Sequence, residues 1–152
     1  MKHRPGTSDL PQEVELTIPI MENMEVTATQ TAEAVAQFLD FDSEQIDEVK
    51  HALIEACINA FEHSRTADSK VYIRFVLSPA NLTVVIRDFG QGFDLAEVPK
   101  PDIQAKVEGK DGYKRGWGLM LIESLMDTVE ILSGPQGTQL TMTKLRQKGG
   151  SL

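Results

Sequence analysis

Apolar and polar residues alternate from Glu13 to Ile20, with Val14, Leu16 and Ile18 on one side and Glu13, Glu15 and Thr17 on the other. A period of two predicts a strand with one buried face. From Glu22 to Leu39 the period lengthens. Val26, Ala32, Val35, Ala36 and Leu39 recur at helical spacing among good helix formers. Phe41-Asp42-Ser43 interrupts this run, and Asp42 with Gln45 three residues on is a helix-start signature. A second helix is predicted from about Ser43 to Glu62, with Ile46, Val49, Leu53, Ala56 and Ala60 as its core stripe. At about 100° per residue, Glu48, Glu55, Asn59 and His63 fall away from that stripe, edged by Ile54 and Ile58. A polar strip beside an apolar edge suits a helix that roofs a polar pocket. It equally suits a solvated face.

Two strands follow, Val71–Leu77 and Leu82–Arg87, joined by the turn Ser78-Pro79-Ala80-Asn81. The second runs directly into Asp88. From Asp94 to Lys114 there is no apolar period, and Pro99, Pro101, Gly109 and Gly112 punctuate mixed charges. Segments of this length in compact domains are usually lids, binding loops or disordered. Leu119, Ile122, Leu125 and Met126 then mark a helix beginning near Trp117. Val129–Ser133, the turn Gly134-Pro135-Gln136-Gly137 and Thr138–Leu145 complete the pattern, with Leu140 and Met142 inward. This order predicts an α+β fold: a two-layer α/β sandwich with a mixed, mostly antiparallel sheet and helices on one face. Residues 1–12 read as a flexible leader, 13–146 as one domain with a lid at about 93–115, and 147–152 as a flexible tail.

Composition narrows the function. The 152 residues are 41% hydrophobic and 25% charged, with a formal net charge of −8. That charge argues against nucleic acid or an anionic membrane as partner. It leaves a nucleotide open, because such a site needs local amide donors and a cation rather than a basic surface. The single cysteine, Cys57, falls in the second helix and reads as a packing residue. No run approaches a spanning length, so a soluble, cytoplasmic protein is expected.

Three stretches can carry chemistry. In Asp88-x-Gly90-x-Gly92 a strand ends in a carboxylate, followed by two residues without β-carbons. Main chain can approach a ligand closely there, and the carboxylate can accept from an exocyclic amine such as that of adenine. Gly116-x-Gly118 directly precedes the apolar pattern, and the unpaired amides of a helix start can cradle phosphate. Lys114 and Arg115 add positive charge beside it. Glu55 and Asn59, one turn apart, face the same way. An amide oxygen suits Mg²⁺ that takes its other ligands from phosphate and water, and the carboxylate beside it can accept a proton from an attacking hydroxyl. His63 continues the row, where capping or packing accounts for it as well as chemistry does.

Jointly, and in this order, these stretches resemble the GHKL (Bergerat-fold) ATPase/kinase superfamily. Glu55-x-x-x-Asn59-Ala60 is similar to its N box and Asp88-x-Gly90-x-Gly92-Phe93 to its first glycine box. Arg115-Gly116-x-Gly118-Leu119 with Leu121-Ile122 is similar to the second, and Gly137-Thr138 to the Gly-Thr element that helps seat adenine. The run from Arg115 to Ile131 most resembles the bacterial anti-sigma factor serine/threonine kinases. The resemblance implies ATP and Mg²⁺ as cofactors, homodimers, and two partners: a sigma factor and an anti-anti-sigma (STAS-domain) protein that is phosphorylated. It implies Glu55 as general base, Asn59 as the Mg²⁺ ligand, and Asp88 with Thr138 at adenine. Gly90, Gly92, Gly116, Gly118 and Leu119 would shape the ATP pocket, and Arg115 would meet the phosphates. An alternative keeps the fold and ATP but makes the chain a regulatory module that binds a STAS or signalling-enzyme partner without sequestering a sigma factor.

Overall fold

The computed structural model describes residues 12–63, 68–90 and 111–147. Their elements, in chain order, are β1 (Gln12–Pro19), α1 (Met24–Phe38), α2 (Ser43–His63), β2 (Lys70–Leu77), β3 (Asn81–Asp88), α3 (Asp111–Leu125), β4 (Thr128–Gly134) and β5 (Gly137–Leu145). The five strands form one sheet in the order β1-β2-β3-β5-β4. All four pairings are antiparallel, so the sheet is not mixed. The reason lies in the connections. β2–β3 and β4–β5 are hairpins, and β1 and β5 add to them with opposed direction.

The sheet alternates as its sequence does. Ile18, Val71, Ile73, Phe75, Leu82, Val84, Ile86, Leu140 and Met142 are buried on one face. They meet Ala28, Ala32 and Ala36 of α1, Val49 and Leu53 of α2, and Ile122 of α3 in one core. Each fully buried Leu, Ile or Phe side chain there contributes about 1.5–3 kcal/mol. Small alanines on α1 let α1 and α2 pack closely together. Val26, expected in the stripe of α1, is exposed, because the buried stripe passes through Ala28 and Thr29 instead.

Polar contacts lock the layers in register. The Asp42 carboxylate accepts the Gln45 N–H at 2.7 Å, the capping bond that the sequence signals. Gln45 is itself buried, and its side chain donates to the Leu145 carbonyl at 2.7 Å, tying the start of α2 to the end of β5. Lys144, also buried, meets Glu48 of α2 at 2.9 Å and donates to the Leu125 carbonyl of α3 at 2.6 Å. One cation thus holds the early part of α2 against the end of α3. Glu48 therefore belongs to this anchor rather than to the polar strip read from the helical wheel.

The largest departure from expectation is the start of α3. The helix begins at Asp111, so residues 111–115 of the anticipated lid are helical and the second glycine pair lies inside a helix. A glycine in a helix costs about 1 kcal/mol relative to alanine, which packing against α2 offsets. Residues 91–110, which include the rest of that lid, and the leader and tail lie outside the described residues, apart from the segment ends at Gln12 and Gln147.

Candidate active site

At one end of the sheet, Asp88 closes β3 opposite Thr138 of β5. Asp88 is 7% exposed, and its Oδ1 accepts the Gly90 N–H at 2.9 Å. That bond makes an Asx turn and aims the carboxylate across the strand end, with the second oxygen left to meet a donor. Gly137 has φ +120°, and a β-carbon there would lie 2.1 Å from the Asp88 carbonyl oxygen. Only glycine permits this approach, so the tight β4–β5 turn sets the position of Asp88 from behind. The Thr138 and Ser133 hydroxyls share a hydrogen bond of 2.7 Å at the same end.

Phe89 braces the turn from the other face of the sheet. Its ring meets Tyr72 edge-on with centroids 5.3 Å apart, and the Arg87 guanidinium lies 4.7 Å from its centroid. Arg87 is held in turn by Gln139 at 3.0 Å. Sequence reasoning missed this brace. The alternation that puts Arg87, Phe89 and Tyr72 on one face was its only trace.

The second part of the site lies between α2 and α3. Glu55, Ile58, Asn59 and Glu62 of α2 line a cavity of about 480 Å³. Its opposite wall is Trp117, Gly118, Met120, Leu121 and Ser124 of α3. A β-carbon at Gly118 would lie 3.0 Å from Asn59 Nδ2 and 3.3 Å from Glu55 Oε1. The glycine therefore lets the α3 backbone press against the carboxylate–amide pair. Asn59 Nδ2 is buried with no hydrogen-bond partner among the described residues. A buried amide without a partner costs about 1–3 kcal/mol, a cost that a hydrogen-bonding ligand would offset.

That orphaned amide is the test of fit for Mg²⁺. Rotation about χ2 exchanges the amide nitrogen for the oxygen, so the side chain can present either a donor or an acceptor. Mg²⁺ takes few protein ligands when phosphates supply the rest, so a single amide oxygen beside a carboxylate suits it. Among the described residues no cluster of three His, Cys, Asp or Glu side chains forms a metal cage.

The remaining expected residues divide. Leu119 is 9% exposed and belongs to the core, so it supports the site from below. Arg115 and Gly116 lie in the first half of α3, His63 ends α2, and Gly92 lies outside the described residues. Because α3 starts at Asp111, the amides at Gly116–Gly118 follow its first turn instead of opening the helix. Glu62, Met120 and Ser124 are lining residues that the sequence reading did not single out, and Ile58, Trp117 and Leu121 enter it only as strip edge, helix start and motif neighbour.

A buried carboxylate before a glycine at a strand end, and a carboxylate–amide row on α2 facing a glycine of α3, sit in an α+β fold with one antiparallel sheet. The chain belongs to the histidine kinase-like ATPase domain family, which it matches over residues 21–144. Among its relatives, serine-protein kinase RsbW of Halalkalibacterium halodurans is 29% identical over 140 residues, covering 91% of this chain and 86% of that one. An anti-sigma F factor of Oceanobacillus iheyensis is 36% identical over 122 residues, covering 76% and 82%. The anti-sigma F factor of Bacillus thuringiensis is 32% identical over 144 residues, covering 92% and 97%. A solved structure of the RsbU and RsbW domains of Rv1364c from Mycobacterium tuberculosis shares the fold, with a TM-score of 0.66 at 21% identity. It covers 90% of this chain, which spans 33% of that longer one.

Proposed function

We propose that this protein is an ATP-dependent serine/threonine protein kinase that also acts as an anti-sigma factor. Its substrate is an anti-anti-sigma STAS-domain protein, and its setting a bacterial partner-switching pathway. Relatives named as a serine-protein kinase and as anti-sigma factors, at 29% and 36% identity, support both halves of this reading. The observation that carries the kinase half is the Glu55–Asn59 pair facing Gly118 across one cavity.

The roles follow from position. Asp88, buried and hydrogen-bonded to Gly90, accepts the exocyclic amine of adenine, with Thr138 beside it. Asn59, which the α3 backbone meets at Gly118, would hold the phosphate end of the nucleotide. Asn59 would hold Mg²⁺, which supplies neutralisation of phosphate charge when bound. Glu55 accepts the proton of the substrate hydroxyl as its oxygen bonds to the terminal phosphorus and the bond from that phosphorus to the leaving ADP oxygen breaks. Arg115 meets the phosphates from α3. Residues 13–146 act as one domain. The homodimer, the cytoplasmic setting and the sigma factor as second partner rest on the likeness to anti-sigma factor kinases. No helix among the described residues is long and apolar enough to cross a membrane.

The test is Glu55→Gln. The variant should bind ATP as the unaltered protein does and lose phosphotransfer to the STAS-domain protein by about a hundredfold or more, measured with labelled ATP-Mg²⁺. Transfer at the unaltered rate removes Glu55 from the role of base.

A further inference from the structure

Phe89 stands between the Asp88 carboxylate and the Gly90 amide that donates to it. β3 ends at Asp88, opposite Thr138, so Phe89 lies past the last position paired with β5. A residue beyond the ladder keeps its backbone freedom unless side-chain contacts remove it. Here they do. The Phe89 ring meets the Tyr72 ring edge-on at 5.3 Å, and the Arg87 guanidinium lies 4.7 Å from its centroid. From behind, its Cα sits within 2.9 Å of where a β-carbon at Gly137 would stand.

The groups that hold the ring are themselves held. Tyr72, Arg87 and Gln139 are cross-strand neighbours in one row of β2, β3 and β5. Arg87 donates to Gln139 Oε1 at 3.0 Å, and the Tyr72 hydroxyl donates to Asp68 at 2.6 Å. This row lies on the face of the sheet away from the core. Phe89 itself is 48% exposed and is no member of the core, so its ring adds little to burial. What the contacts fix is direction. They set the Cβ vector of residue 89, hence the peptide leading to the Gly90 N–H, hence the Asp88 oxygen that this N–H engages.

We propose that Phe89 and Arg87 are positioning residues for nucleotide binding: with Tyr72 they hold the 88–90 turn in the one orientation in which the Asp88 carboxylate accepts the adenine amine. The inference rests on the adenine reading of Asp88 and deepens it. Neither side chain touches the nucleotide, and each acts through Asp88. Without the ring contacts the turn populates other orientations in the free protein. Apparent ATP affinity then falls by the fraction of molecules still in the competent one.

The experiment is calorimetric titration with ATP-Mg²⁺ of the unaltered protein, Phe89→Leu, Phe89→Tyr and Arg87→Met. Phe89→Leu keeps apolar bulk and loses both ring contacts, so affinity should fall about fivefold to tenfold. Phe89→Tyr keeps the ring and should stay within about twofold. Arg87→Met removes the guanidinium and keeps an unbranched stem, for a loss of about twofold to threefold. It decides the matter by itself if Phe89→Leu does not fold. Combined with Asp88→Asn, Phe89→Leu should weaken ATP no further, because the group through which it acts is already altered. A merely structural role lowers thermal stability without this non-additivity. Unaltered affinity in Phe89→Leu overturns the inference, while a loss in Asp88→Asn alone keeps the adenine reading standing. A full fivefold loss on the Asp88→Asn background overturns it too, since the effect then bypasses Asp88. Unaltered affinity in Asp88→Asn defeats the adenine reading and this inference with it.

Discussion

The two halves of the site are built in opposite ways. At the Asp88 end, position is dictated by backbone: a strand pairing with Thr138, a glycine at φ +120° with no room for a side chain, and a carboxylate bonded to the Gly90 amide. At the Asn59 end, position depends on two helices pressed together across Gly118, and a buried amide nitrogen has no partner among the described residues. The first half is assembled before ligand arrives. The second carries an unmet hydrogen bond that ligand can satisfy. On the proposed reading, a preformed end lowers the ordering cost of binding, while an end completed by its ligand would report whether the right phosphates and cation are present.

Substitutions should separate the halves. Asp88→Asn replaces an acceptor with a group that offers a donor towards the adenine amine, and leaves packing almost unaltered. ATP affinity should fall about a hundredfold or more with thermal stability nearly unchanged. Calorimetric titration showing unaltered affinity would remove Asp88 from the adenine role. Gly118→Ala acts on the other half only. Its methyl would press on Asn59 Nδ2 at 3.0 Å, so ATP-Mg²⁺ affinity should drop roughly tenfold while adenosine affinity holds. If both ligands weaken equally, the halves are not independent and the contrast drawn above fails.

The smallest effect is expected in the core between them. Burial pushes the Cys57 thiol up to about 12 from 9.0, with the Glu25 carboxylate adding to the shift. The folded state keeps a proton that the unfolded chain releases, so this group leaves stability unaffected below pH 9.0 and lowers it as pH rises towards about 12. In the folded protein at pH 8 the thiol should label far more slowly than in urea. Equal labelling rates in the two would show that α2 opens freely.

Sequence reading reached some of this directly and missed some for physical reasons. The strand alternation survives in detail, because a sheet covered on one face needs apolar residues at every second position and nowhere else. The Asp42–Gln45 cap is equally local, a contact between residues three apart. Glu48 and Leu119 mark the limit. Glu48 lies in the polar strip on a wheel yet is captured by Lys144, almost a hundred residues on. Leu119 stands both in the apolar period and in a glycine motif, and its buried place with Ile122 follows the period.

What the chain alone determined is the inventory: five strands, the polar row Glu55–Asn59, the carboxylate before a glycine pair, and the family to which that order belongs. These are matters of period and local spacing, which every residue carries with it. Tertiary structure decided that the described strands pair wholly antiparallel, that α3 starts at Asp111, and that Gly118 meets Asn59 and Glu55. It also exposed Leu121 on the α3 wall of the cavity. Helix length and helix–helix approach are settled by packing energies of several kcal/mol, which outweigh the local propensity of about 1 kcal/mol that a glycine expresses.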